Sequence, residues 1–68
     1  MAKTMRLTEK HKEILESGAD GICIRGVWHW HVRGEAATRQ VNTLLKNGKM
    51  SAIYFPDGRA AAYRKEGL

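Results

Sequence analysis

Two groups of side chains in this 68-residue chain have the types and spacing to do chemistry. The first is Cys23, His29 and His31, with His11 further upstream, a set of thiol and imidazoles of the kind that holds zinc. Zinc takes four such ligands in a tetrahedron, usually from closely paired cysteines or histidines, and here the spacing fits no paired signature and Cys23 has no second cysteine. No metal site is expected, and His29-Trp30-His31 reads as an exposed histidine edge. The second group is Arg39, Asn42, Thr43 and Lys46, none of them apolar, which at about 100° per residue share one side of a helix. That side can meet a partner. Nothing else resembles a reaction centre: there is no Ser/His/Asp arrangement, glycine-rich phosphate loop or carboxylate pair, so neither enzyme activity nor a cofactor is expected.

The helix that would carry the second group is set by its other side. Ala37, Val41, Leu44 and Leu45 fall at i, i+4, i+7 and i+8, the repeat that makes an apolar stripe. Asn47 and Gly48 can close it, and Lys46 and Lys49 suit the negative end of its dipole. Met50 to Phe55 then has strand-forming residues, and Pro56-Asp57-Gly58 is a turn, which predicts a hairpin. A rival reading caps a helix on Asp57 and runs it through Ala60-Ala61-Ala62 to Gly67, because alanine is the best helix former.

Upstream, Thr8 can cap a helix from Glu9 to about Ser17 with Gly18 to end it. Leu7, Ile14 and Leu15 face one way, with His11 at the edge of the core. Its outer face mixes Glu9, Glu13 and Glu16 with Lys10 and Lys12, which favours solvent. From Ile22 to Arg33 residues alternate: Ile22, Ile24, Trp28, Trp30 and Val32 are even-numbered, and Cys23, Arg25, Val27, His29, His31 and Arg33 odd. This predicts extended backbone with one buried face, continuous or broken at Gly26 into two strands or a bulge. Gly18, Gly21, Gly26 and Gly34 read as turns. Burying Trp28 and Trp30 would supply much of the core; leaving one exposed would make a binding anchor.

Composition sets the outer bounds. A chain of this length is one domain, 1–68, with Met1 to Arg6 expected to be flexible. A hydrophobic content of 43% argues against disorder, and no apolar run approaches the roughly 18 residues of a membrane span, so no membrane partner is expected. Met1 to Leu7 has no apolar stretch or small-residue cleavage site of a secretion signal, and Cys23 stands alone. A cytoplasmic protein is expected. Of the net charge of +5, an excess of one falls in residues 1–32 and four in residues 33–68, where the second helix and the hairpin lie. Cations there suit phosphate, because neutralising phosphates releases condensed counterions; the plainer explanation is a solvated face that keeps a small protein dissolved.

From Ala36, the run Ala-Ala-Thr-Arg-Gln-Val-Asn-Thr-Leu-Leu-Lys-Asn-Gly-Lys, followed by Ala-Ile-Tyr-Phe-Pro-Asp-Gly-Arg-Ala-Ala-Ala-Tyr-Arg, resembles the recognition helix and wing of winged helix-turn-helix DNA-binding domains. Thr8 to Gly18 looks like their first helix. The chain departs from the pattern between the two helices, where Ile-Cys-Ile-Arg-Gly-Val-Trp-His-Trp-His-Val replaces a short second helix, as in small phage-type or prophage-type members. The resemblance implies an α+β winged-helix-like domain of two main helices, an extended segment and a C-terminal β-hairpin wing. It also implies a small transcriptional regulator or accessory factor that puts its later helix in the major groove of double-stranded DNA. By position, Arg39 would read a guanine edge and Asn42 an adenine. Thr38, Thr43, Lys46 and Lys49 would meet phosphates, and Arg59 and Arg64 would belong to the wing. One such module covers little DNA, so a homodimer or a companion protein is expected; no small-molecule substrate is. The other reading is a phage-type module or inhibitor that uses the same scaffold to bind a host protein complex.

Overall fold

A computed structural model describes residues 6–65. The stretch expected to be flexible lies outside them apart from Arg6, as do Glu66 and Gly67 of the rival C-terminal helix. The order is α1 (Glu9–Ser17), β1 (Ala19–Ile24), β2 (Val27–Val32), β3 (Glu35–Ala36), α2 (Thr38–Lys46), β4 (Met50–Tyr54) and β5 (Arg59–Arg64). The five strands form one antiparallel sheet in the order β3-β2-β1-β5-β4, so the molecule is α+β. No helix is long and apolar enough to cross a membrane among the described residues.

The first helix begins where the sequence places it, and His11 explains why. The Thr8 hydroxyl accepts the His11 N–H at 3.2 Å while the Thr8 N–H donates to His11 Nδ1 at 3.3 Å, a reciprocal cap in which histidine takes the place usual for Glu or Gln. His11 is therefore a capping residue. At the other end the Gly18 N–H donates to the Ile14 carbonyl at 2.7 Å, and a left-handed φ of 77° turns the chain into β1.

Arg25-Gly26 joins β1 to β2 in two residues, both at positive φ (53° and 80°), as a type I′ hairpin requires. This turn overturns the expectation of one even-numbered face. Across it Cys23 pairs with Trp28 and Ile22 with His29, so even positions of β1 share a side with odd positions of β2. Trp28, Trp30 and Val32 face the helices, whereas Ile22 and Ile24 face the other way. Gly21, expected as a turn, lies within β1 opposite Trp30, where a Cβ would sit 2.7 Å from the indole ring. A second Arg-Gly turn at 33 and 34 leads to the short β3.

The core lies between one sheet face and the two helices. Ile14 from α1, Ala37 at the N-cap of α2, and Val41 and Leu44 within it close over Trp30, Val32, Met50, Ala60 and Ala62, with Leu45 packed at the margin. The predicted stripe of α2 is thus its buried side. Its C-terminus closes as a Schellman turn: the Gly48 N–H reaches the Leu45 carbonyl, the Lys49 N–H reaches that of Leu44 at 2.9 Å, and Gly48, at φ 72°, takes the left-handed position.

Of the two C-terminal readings, the hairpin is the one that forms. Ala60 and Ala62 lie in strand β5, buried beside β1 and under the helices. Tertiary packing outweighs alanine's helix preference at positions where a bulkier side chain has no room. Because β5 pairs with β1 from Ala19 to Ile22, this hairpin belongs to the main sheet.

Candidate nucleic-acid interface

α2 leans against β2 at its start and β4 at its end. At the start, the Ala37 N–H donates to the Trp30 carbonyl at 2.8 Å and the Thr38 hydroxyl accepts the Trp30 N–H at 3.0 Å. Thr38 is therefore half-buried and spent on the sheet, away from the surface where a phosphate contact was expected. Ala37 supplies no side-chain cap. The remaining outer positions divide by environment. Arg39, Asn42 and Lys46 are exposed, at i, i+3 and i+7, and their side chains make no hydrogen bond or ion pair with the described residues. Thr43 is half-buried and its hydroxyl donates to the Arg39 carbonyl at 2.9 Å, while the Asn47 amide donates to the Thr43 carbonyl at 2.8 Å. These last two bonds stay within the helix and leave a strip of two cations and one amide facing solvent.

Beyond the helix, the Lys65 N–H donates to the Lys49 carbonyl at 3.1 Å, which brings the head of β4 and the tail of β5 together. Lys49 and Arg64 line a shallow depression of about 290 Å³ with Leu7, Lys12, Leu15 and Glu16 of the α1 side. Lys49 and Arg64 thus come together at the head of β4, a few residues past Lys46 at the C-terminal end of α2.

Arg59 does not join them. It points to the sheet face opposite the helices, and its Nε donates to Asp57 Oδ2 at 2.9 Å while its own N–H donates to Asp57 Oδ1 at 3.1 Å. The Arg59 side-chain hydrogen bond, then its backbone N–H, hold the Asp57 carboxyl below its ordinary 3.8. This pair stiffens the turn.

The metal set also comes apart. The β1–β2 register turns Cys23 to the helix side and His29 and His31 to the open side, contrary to the shared face read from their odd numbers. No group of three or more ligating side chains close enough to hold a metal occurs among the described residues.

What the sequence reading missed is the open sheet face itself. Ile22, Ile24, Val27, Ile53, Phe55 and Tyr63 share it, each 39% to 55% exposed. The signal was the two-residue spacing at Arg25-Gly26, which reverses numbering parity across the hairpin. On the helix side Trp30 is buried, and half-buried Trp28 meets exposed Tyr54 with ring centroids 5.0 Å apart. Compared with protein-family models, curated proteins and solved structures, the chain matches none.

Proposed function

We propose that this protein binds double-stranded DNA through the outer side of α2, as a small transcriptional regulator or accessory factor with a winged-helix-like arrangement. The observation that carries this reading is the solvent-facing strip Arg39-Asn42-Lys46, unpartnered among the described residues and free of acidic side chains, on a helix whose other side is fixed by the core. The helix width suits a major groove, and the strip combines a guanidinium and an amide, the two side-chain groups best matched to purine edges. Lys46, Lys49 and Arg64 supply phosphate contacts at one end of the helix. The hairpin follows α2 directly, as the resemblance implies, but Arg59 faces away from the strip and takes no part. A gel-shift titration at two salt concentrations tests the reading: binding that weakens steeply as salt rises supports it, and no binding to any duplex in dilute buffer rejects it.

One observation favours a second reading. The open sheet face exposes more clustered apolar surface than duplex binding uses, and such a surface suits protein association. On that reading the chain is an interaction module, and substituting Ile24 by Asp would abolish partner capture while leaving any duplex affinity unchanged.

A further inference from the structure

The two edges of the sheet are finished differently. At one edge β3 pairs with His31 and Val32, and then Ala37 and the Thr38 hydroxyl take both backbone groups of Trp30. At the other edge, β4 has a neighbour on one side only among the described residues. Its hydrogen-bond phase follows from two bonds, Lys65 N–H to the Lys49 carbonyl and Phe55 N–H to the Arg59 carbonyl. In an antiparallel ladder, bonded pairs alternate with unbonded ones, so Ser51 and Ile53 exchange bonds with β5. The N–H and C=O groups of Met50, Ala52 and Tyr54 therefore point outward. Sheet edges usually carry a lysine, a proline or a bulge that discourages pairing, and Met-Ser-Ala-Ile-Tyr has none of these.

We propose that β4 pairs with β4 of a second copy of this chain, antiparallel, about a two-fold axis at Ala52. This register is the one in which every outward group finds its counterpart: Ala52 meets Ala52, and Met50 meets Tyr54 in both directions. Ser51 then lies opposite Ile53 of the second copy on the open face. Charge favours a second copy over a peptide of another kind. No charged side chain lies within either strand, and antiparallel pairing sets Lys49 at the head of one β4 toward the Pro56-Asp57 turn of the other, where the Asp57 carboxylate, held by its own Arg59, keeps lone pairs for a further donor at both ends. Ile53 and Phe55 of the two copies extend one apolar strip across the seam. A five-residue edge buries well under the roughly 800 Å² per partner of a tight complex, so the pairing is weak and concentration-dependent. The axis is perpendicular to the sheet and keeps both α2 helices on the same side. If α2 reads duplex DNA, the pair would then face a two-fold-related site, but the self-pairing stands without that reading.

Sedimentation velocity of the full chain between about 10 µM and 1 mM tests the pairing without any nucleic acid. The sedimentation coefficient is expected to rise from monomer toward dimer, and Ala52→Pro is expected to abolish the rise. A proline there removes an outward N–H and no bond to β5. Because that variant can misfold, disulfide trapping gives a second readout in a Cys23→Ser background. A mixture of Ser51→Cys and Ile53→Cys chains should cross-link on oxidation far faster than either alone, since opposite positions lie within disulfide reach and identical ones do not. A monomer throughout the range, or equal cross-linking with and without mixing, would overturn the proposal. So would a dimer that survives Ala52→Pro but is dispersed by Ile22→Asp, which would move self-association to the open face.

Discussion

Trp30 is the largest fully buried side chain, and the sheet makes room for it by withholding side chains from the strands beside it. Gly21 is covered by the indole, and Ala60, the next residue across the sheet, is barely larger. Gly21→Ala is therefore expected to destabilise the fold by about 1 to 3 kcal/mol, read as a lower urea midpoint with an unchanged slope, because the added methyl forces the ring or β1 to shift. An unaltered midpoint would mean that the indole yields freely. Asp57 gives a second prediction at this scale. Its folded carboxyl titrates below the unfolded value because of Arg59, so its contribution is complete above about pH 4 and is lost as pH falls through the folded value. The carboxyl carbon followed by NMR across that range should titrate below an Asp57 peptide reference, and Arg59→Ala should bring it part of the way back, because the N–H of residue 59 still donates to Oδ1.

Among the elements, those with local punctuation were legible and those defined by distant contacts were not. Thr8 and Gly18 bracket α1, and Gly48 stops α2, because caps and left-handed turns are written in adjacent residues. The extended nature of Ile22 to Val32 was also readable from alternation, but its facing was not, nor was the start of β1 at Ala19. A two-residue turn at Arg25-Gly26 places an arginine at φ 53°, a conformation that asparagine or aspartate usually supplies, so the sequence carries no strong mark of a tight hairpin there. Replacing Arg25 by Asn should stabilise the protein by on the order of 0.5 kcal/mol, seen as a small rise in Tm, since the strain at that residue is relieved. A fall in Tm would show that the Arg25 side chain has a contact of its own to lose. The run Ala60-Ala61-Ala62 was ambiguous for a related reason: its fate depends on β1 and Trp30, about forty and thirty residues away, and local propensity points elsewhere. Of the candidate site, the exposure of Arg39, Asn42 and Lys46 followed from helical period alone. The diversion of Thr38 to Trp30 and of Arg59 to Asp57 required the tertiary fold.

Taken as a whole, the molecule is a two-sided plate, with both helices on one side and, on the other, an uncovered sheet face that mixes apolar side chains with His29, His31 and Arg59. On the proposed reading the α2 side is the one that meets an anion. If Lys46, Lys49 and Arg64 each neutralise one phosphate, affinity for duplex DNA should fall by about 40-fold between 50 and 200 mM salt. Lys46→Ala should weaken all duplexes alike, by removing one such contact, and should flatten the salt dependence by about one unit of slope. The decisive measurement is fluorescence anisotropy of labelled duplexes of differing sequence, titrated with the wild-type chain and with Arg39→Ala. The account predicts that the wild type discriminates among the sequences and that the substitution costs the preferred duplex about ten-fold or more while sparing the others. Equal loss on every duplex, or a wild type that binds none of them at low salt, would contradict it.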